Sequence, residues 1–184
     1  MSADEWGTLA LVLLGFGLLC SVPAWTGSGR RIWAPLTLVV LLAGAIVAAT
    51  PDQVSVDVRW AATLMVGLGG ALAISGGGPL TSLVFDLVDR RETPAESMQQ
   101  AGHVLRGGAW IGALERGAIF ATLVAGWPEG LAIVLALKGL GRYPELRAAE
   151  DGVRTGAAER FIIGTFTSVL WACACAGVVV LLLR

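Results

Sequence analysis

The chain has 184 residues, of which 55% are hydrophobic and only 15% charged, and its formal net charge is -1. Soluble domains carry about 25% charged residues, so an ordinary water-soluble globule is excluded. The charge balance gives no electrostatic footing for a nucleic-acid binder.

The length allows one domain, and six membrane crossings would use nearly all of it. In chain order, uncharged runs cover residues 6–29, 32–51, 60–85 and 161–183. Each is long enough to cross a hydrocarbon core of about 30 Å at about 1.5 Å per residue. The third run contains Gly67, Gly69 and Gly70, then Gly76-Gly77-Gly78-Pro79. Two readings stay open for that tetrad. It packs helices closely through small residues with a kink at the proline, or it breaks the helix so that freed backbone groups line a site. It is not a phosphate-binding loop, because no Lys-Ser/Thr pair ends it.

Residues 89–107 form a polar connection in which Thr93-Pro94-Ala95-Glu96 can cap a short amphipathic helix. It holds the only histidine, His103, which has no ligand-spaced partner, so no metal site is expected. Residues 107–141 are less apolar, with Glu115, Arg116, Glu129 and Lys138 among them, and Trp127-Pro128-Glu129-Gly130 at their middle. Proline opens helices and disrupts their interiors. Two helices joined by a tight hairpin are therefore expected, at about 107–126 and 128–142. The second would be short, near about 22 Å. Residues 143–160 mix charges of both signs and read as a solvated loop or short helix.

The expected fold is all-α: a polytopic integral membrane protein whose single domain, residues 1–184, is a six-helix transmembrane bundle. Its spans fall at about 6–26, 32–50, 60–86, 107–126, 128–142 and 161–183. Arg30, Arg31, Arg90, Arg91, Arg106, Arg142, Arg147, Arg154 and Arg160 then share one side, against Arg59 and Arg184 on the other. The positive-inside rule places both termini outside the cytoplasm. Asp4 and Glu5 open the chain without a basic stretch, which argues against a cleaved signal peptide. Trp6, Trp25, Trp33, Trp60 and Trp127 fall at span ends, as interfacial anchors do. Cys20, Cys173 and Cys175 lie within apolar runs and read as small hydrophobes.

Charges inside a bilayer are expensive and persist where they pair or face water. Glu115 and Lys138 sit at similar depth on consecutive antiparallel helices, so they can meet. Arg116, Arg142, Glu145, Glu159, Arg160 and Thr165 complete a candidate ligand-binding set in the cytoplasmic half. The set is either an ion-pair scaffold that fixes helix register or a polar chamber. Its excess of cations would favour an anionic or phosphate-bearing ligand.

The residues Gly107-x-x-Trp110-Ile111-Gly112-x-Leu114-Glu115-Arg116, Pro128-Glu129-Gly130-Leu131, Ala136-Leu137-Lys138, Arg142-Tyr143-x-Glu145 and Glu159-Arg160-Phe161-Ile162-Ile163-Gly164-Thr165-Phe166-x-Ser168 carry a resemblance. Over residues 105–172 the chain resembles a bacterial domain family of unknown function found in small multi-span membrane proteins. The resemblance points to Glu115, Arg116, Glu129, Lys138, Arg142, Glu145, Glu159, Gly164, Thr165 and Ser168, and implies no activity.

Three functions compete. The first is a transporter or channel whose chamber binds an anionic solute, working as a homo-oligomer. The second is a non-catalytic subunit or anchor of a larger membrane complex, suggested by Gly108-x-x-x-Gly112. The third is an inner-leaflet enzyme acting on a lipid phosphate, with Glu115 or Glu159 as base and Arg116, Lys138 and Arg142 on the phosphate. No paired-aspartate metal motif or activated nucleophile supports catalysis, and no cofactor is expected. The expected partners are the lipid bilayer, an anionic small molecule or lipid phosphate, and a second copy or another membrane protein.

Overall fold

The computed structural model describes residues 3–49, 59–91, 108–148 and 151–184, with side chains described for 5–49, 60–89, 108–144 and 158–184. Among them are six α-helices and no strand: α1 Ala3–Ser21, α2 Arg30–Ala48, α3 Arg59–Arg91, α4 Gly108–Val124, α5 Glu129–Ala148 and α6 Asp151–Leu182. Four stretches are long and apolar enough to cross a membrane: Glu5–Trp25, Arg30–Ala48, Trp60–Asp89 and Ala158–Leu182. The protein is thus helical and of membrane type. The pair α4–α5 is shorter or more charged, α4 having 17 residues with Glu115 and Arg116 at its middle.

The turns follow from local chemistry. Pro23 opens a single 3-10 turn, Pro23–Trp25, after α1. Thr26 closes it: its Oγ1 donates to Pro23 O at 2.7 Å and accepts from Gly29 N at 3.1 Å. At the end of α4, Gly126 takes φ +74°. There Trp127 N donates to Thr122 O at 2.8 Å and Gly126 N to Leu123 O at 3.1 Å. This is a Schellman ending, which requires a left-handed residue and so favours glycine. Pro128 follows, and Glu129 places an acid in the first turn of α5, where the helix dipole favours it. The expected hairpin is present at the expected tetrad.

Two helices run past their apolar stretches. α5 continues beyond Arg142, through Pro144, to Ala148. α6 starts at Asp151, ahead of the uncharged run at 161. Charged residues end a hydrophobic run without ending a helix.

The core lies where α3 and α6 cross, with α1, α2 and α4 around them. Leu14, Leu41, Met65, Leu72, Phe120, Trp171, Cys175 and Val179 are buried there. α5 lies outermost, against α4 and the edge of α6. Many large apolar side chains face outward, among them Leu19, Ile32, Ile46, Leu114, Phe166 and Leu170. In water such a surface would be a liability, and in lipid it is the solvated face.

The Gly76-Gly77-Gly78-Pro79 tetrad is not a helix break: α3 is helical from Arg59 to Arg91. Its glycines are packing positions. A Cβ would meet the Trp171 indole at Gly76, the Arg116 side chain at Gly77 and the Trp25 indole at Gly78. The group left without its helical donor is Ser75 O, because Pro79, four residues on, has no N–H. Trp25 Nε1 donates to that oxygen at 3.1 Å.

Candidate functional site

One turn of α3 organises the site. The carbonyls of four consecutive residues, Leu72, Ala73, Ile74 and Ser75, each accept from a side chain of another element. Trp171 Nε1 reaches Leu72 O at 3.2 Å. Arg116 Nε reaches Ala73 O and Ile74 O, both at 3.1 Å. Arg116 Nη2 reaches Ile74 O at 2.7 Å, and Trp25 Nε1 takes Ser75 O. A carbonyl has two lone pairs, so it can accept one such bond beside its helical one. The glycines at 76–78 let these donors approach.

Arg116 is 3% exposed. Besides the α3 carbonyls it holds Ser168 Oγ of α6, from Nη1 at 3.2 Å. Every hydrogen-bond partner of this guanidinium among the described residues is neutral. A buried charge normally carries a counter-charge, and this one has none within salt-bridge reach among the described residues.

The other cations differ. Lys138 Nζ pairs with a Glu115 carboxylate oxygen, as their depth on α5 and α4 leads one to expect. Arg160 of α6 holds Asp89 of α3 through two bonds, Nη2 to Oδ2 at 2.9 Å and Nη1 to Oδ1 at 3.3 Å. Its guanidinium also lies 4.8 Å from the centroid of the Phe85 ring, within cation–π range. Arg30 of α2 meets Asp86 at 3.3 Å. All these contacts gather at the end of the bundle where α1, α3 and α5 finish and α2, α4 and α6 begin.

There they line a half-open cavity of about 380 Å³. Arg116, Lys138, Arg142 and Arg160 line it, with Glu115 the only carboxylate among its described lining residues. Thr165 and Ser168 add hydroxyls, and Trp25, Phe85, Ile111 and Phe161 add apolar surface. Thr165 Oγ1 is buried and has no hydrogen-bond partner among the described residues. A second cavity of about 410 Å³ lies between α4 and α5 and shares Ile111, Glu115, Lys138 and Arg142 with the first.

Of the residues expected from sequence, Glu115, Arg116, Lys138, Arg142, Arg160 and Thr165 converge on the first cavity. Glu159 does not. It is exposed and absent from the lining, because its neighbour Arg160 points inward and adjacent helical positions are about 100° apart. Glu145 lies outside the residues whose side chains are described. Gly112, half of the Gly108-x-x-x-Gly112 spacing, is buried within the protomer, where a Cβ would stand 3.0 Å from Arg116 Nη1. Gly108 is exposed, with nothing within 4 Å of a Cβ placed there.

Asp89, Phe85 and the carbonyl turn at 72–75 were not among the expected site residues. The signal for the turn was present: Pro79 leaves one carbonyl short of a donor, and two tryptophans with indole N–H groups lie near span ends or in an apolar span.

No family model, curated protein or solved structure matches the chain. The resemblance over residues 105–172 rests on its own residues.

Proposed function

We propose that the protein is a small inner-membrane transporter or channel that binds an anionic solute in the chamber between α3, α4, α5 and α6. The observation that carries this reading is Arg116, a buried cation held by neutral groups alone, at the wall of a cavity rich in cations. A fixed positive charge with no counter-charge in salt-bridge reach among the described residues, set in a low-dielectric wall, attracts an anion and selects it by charge.

In this reading α4 and α5 cross as a hairpin, giving six spans. The chamber faces the cytoplasm, since Arg30, Arg31, Arg142 and Arg160 lie at its end of the bundle. Both termini then lie outside the cytoplasm. The chain works as a homo-oligomer in a bacterial inner membrane.

The test is thermal stability of the detergent-solubilised protein against inorganic anions, organic anions, nucleotides and lipid phosphates. A ligand at about 100 times its Kd stabilises by about 2.7 kcal/mol. A saturable rise in Tm with one anion class is expected. Invariance across every class would leave the charges as an ion-pair scaffold and end the reading.

A further inference from the structure

The chamber's charges are not equivalent, and the difference specifies what fits. Lys138 is neutralised by Glu115 and Arg160 by Asp89. Arg142 also has a partner. Arg116 is fixed by two carbonyl oxygens and one hydroxyl. Of its five N–H groups, the one on Nε is shared between two carbonyls, and each Nη makes one bond. One N–H on each Nη is therefore left over among the described residues. Thr165 lies one turn before Ser168 on α6, and its buried hydroxyl has no partner among the described residues. Charge and hydrogen-bonding capacity are thus unfilled at the same end of the cavity. The remaining wall is aromatic and aliphatic: Trp25, Phe85, Ile111 and Phe161.

We infer that the chamber takes an organic monoanion, with one anionic oxygen head group on Arg116, Thr165 and Ser168 and a compact apolar body against Trp25, Phe85 and Phe161. This rests on the anion-chamber reading above and narrows it. A polyanion would bury more negative charge than Arg116 compensates. A neutral molecule of the same shape would leave Arg116 uncompensated. The volume, about 380 Å³, lies at the small end of ligand pockets, which span about 300–1,000 Å³. That suits one ring or a short chain. Two sources offer this chemistry: a free sulfonate or carboxylate, and the phosphodiester head of an anionic phospholipid.

Benzenesulfonate is the probe, because it stays charged across the working pH range. Benzenesulfonamide keeps the body without the charge, and sulfate keeps charge without the body. Binding is measured calorimetrically on the full chain in neutral detergent. The expected result is that benzenesulfonate binds at least about tenfold more tightly than either comparison compound, as loss of a charge-assisted hydrogen bond implies. Arg116→Met should abolish binding. Thr165→Val, which keeps the side-chain shape, should weaken it severalfold with Tm unchanged.

Repeating the titration in nanodiscs separates the sources. Weaker apparent affinity in phosphatidylglycerol than in phosphatidylcholine supports a lipid head group as competitor, and equal affinity supports a free solute. Equal binding of benzenesulfonate and benzenesulfonamide, or tighter binding of sulfate or a nucleotide, would overturn the monoanion inference. In the last two cases the anion chamber would survive. Binding of no anion would overturn both.

Discussion

At the scale of single residues, the site is a contrast between a paired charge and an unpaired one on adjacent positions of α4. Glu115 turns to Lys138 of α5, while Arg116 turns to α3 and α6. The Glu115–Lys138 pair was legible from the sequence, because two opposite charges at equal depth on hairpin helices have few other partners in lipid. The Asp89 partner of Arg160 was not legible, because Asp89 is 71 residues away and belongs to a segment that reads as a polar connection. The pair's side chains are only 12% and 15% exposed, so breaking it should be costly. Lys138→Met is expected to destabilise by about 3 kcal/mol, the lower end for a buried carboxylate left without its partner. Adding Glu115→Gln should recover most of that loss. Chemical denaturation of the single and double variants checks this, and no recovery in the double variant would refute the pairwise account.

At the scale of helices, α3 carries the architecture. Its glycines let two tryptophans and an arginine reach its carbonyls, and one proline leaves Ser75 O for Trp25. The sequence held both candidate meanings of Gly76-Gly77-Gly78-Pro79, packing and break. Composition could not separate them, because the deciding facts are the long-range partners Trp25, Arg116 and Trp171. Helix ends were likewise only partly legible. The α4–α5 turn was marked by Trp127-Pro128, whereas the extensions of α5 and α6 carry no apolar signal. The packing role makes a position-specific prediction. Gly76→Ala, facing the Trp171 ring, should destabilise by about 1–3 kcal/mol through overpacking. Gly67→Ala on the same helix, with nothing within 4 Å of its Cβ, should stabilise by up to about 1 kcal/mol through helix propensity. Equal Tm changes for the two would contradict the assignment of Gly76 as a contact.

For the whole molecule, membrane character was legible from charge depletion alone, and four helices long and apolar enough to cross a membrane bear it out. The α4–α5 hairpin is where length and hydropathy stop discriminating, since a helix carrying Glu115 and Arg116 can cross only if tertiary partners hold them. Those partners lie on α3, α5 and α6 and cannot be read from α4. In the six-span arrangement the turn near Trp127 lies on the outer side. A single cysteine at Glu129, in a variant with Cys20, Cys173 and Cys175 replaced, should react with an impermeant maleimide added to intact cells. Protection there, with labelling at Ser28 instead, would reverse the orientation or remove the crossing. The proposed movement of an anion through a chamber keyed by Arg116 is tested by current recordings on proteoliposomes held on a solid support. A concentration jump of benzenesulfonate should give a saturable current with the wild-type protein and none with folded Arg116→Met. Equal currents from the two proteins, or no current above empty liposomes from either, would contradict it.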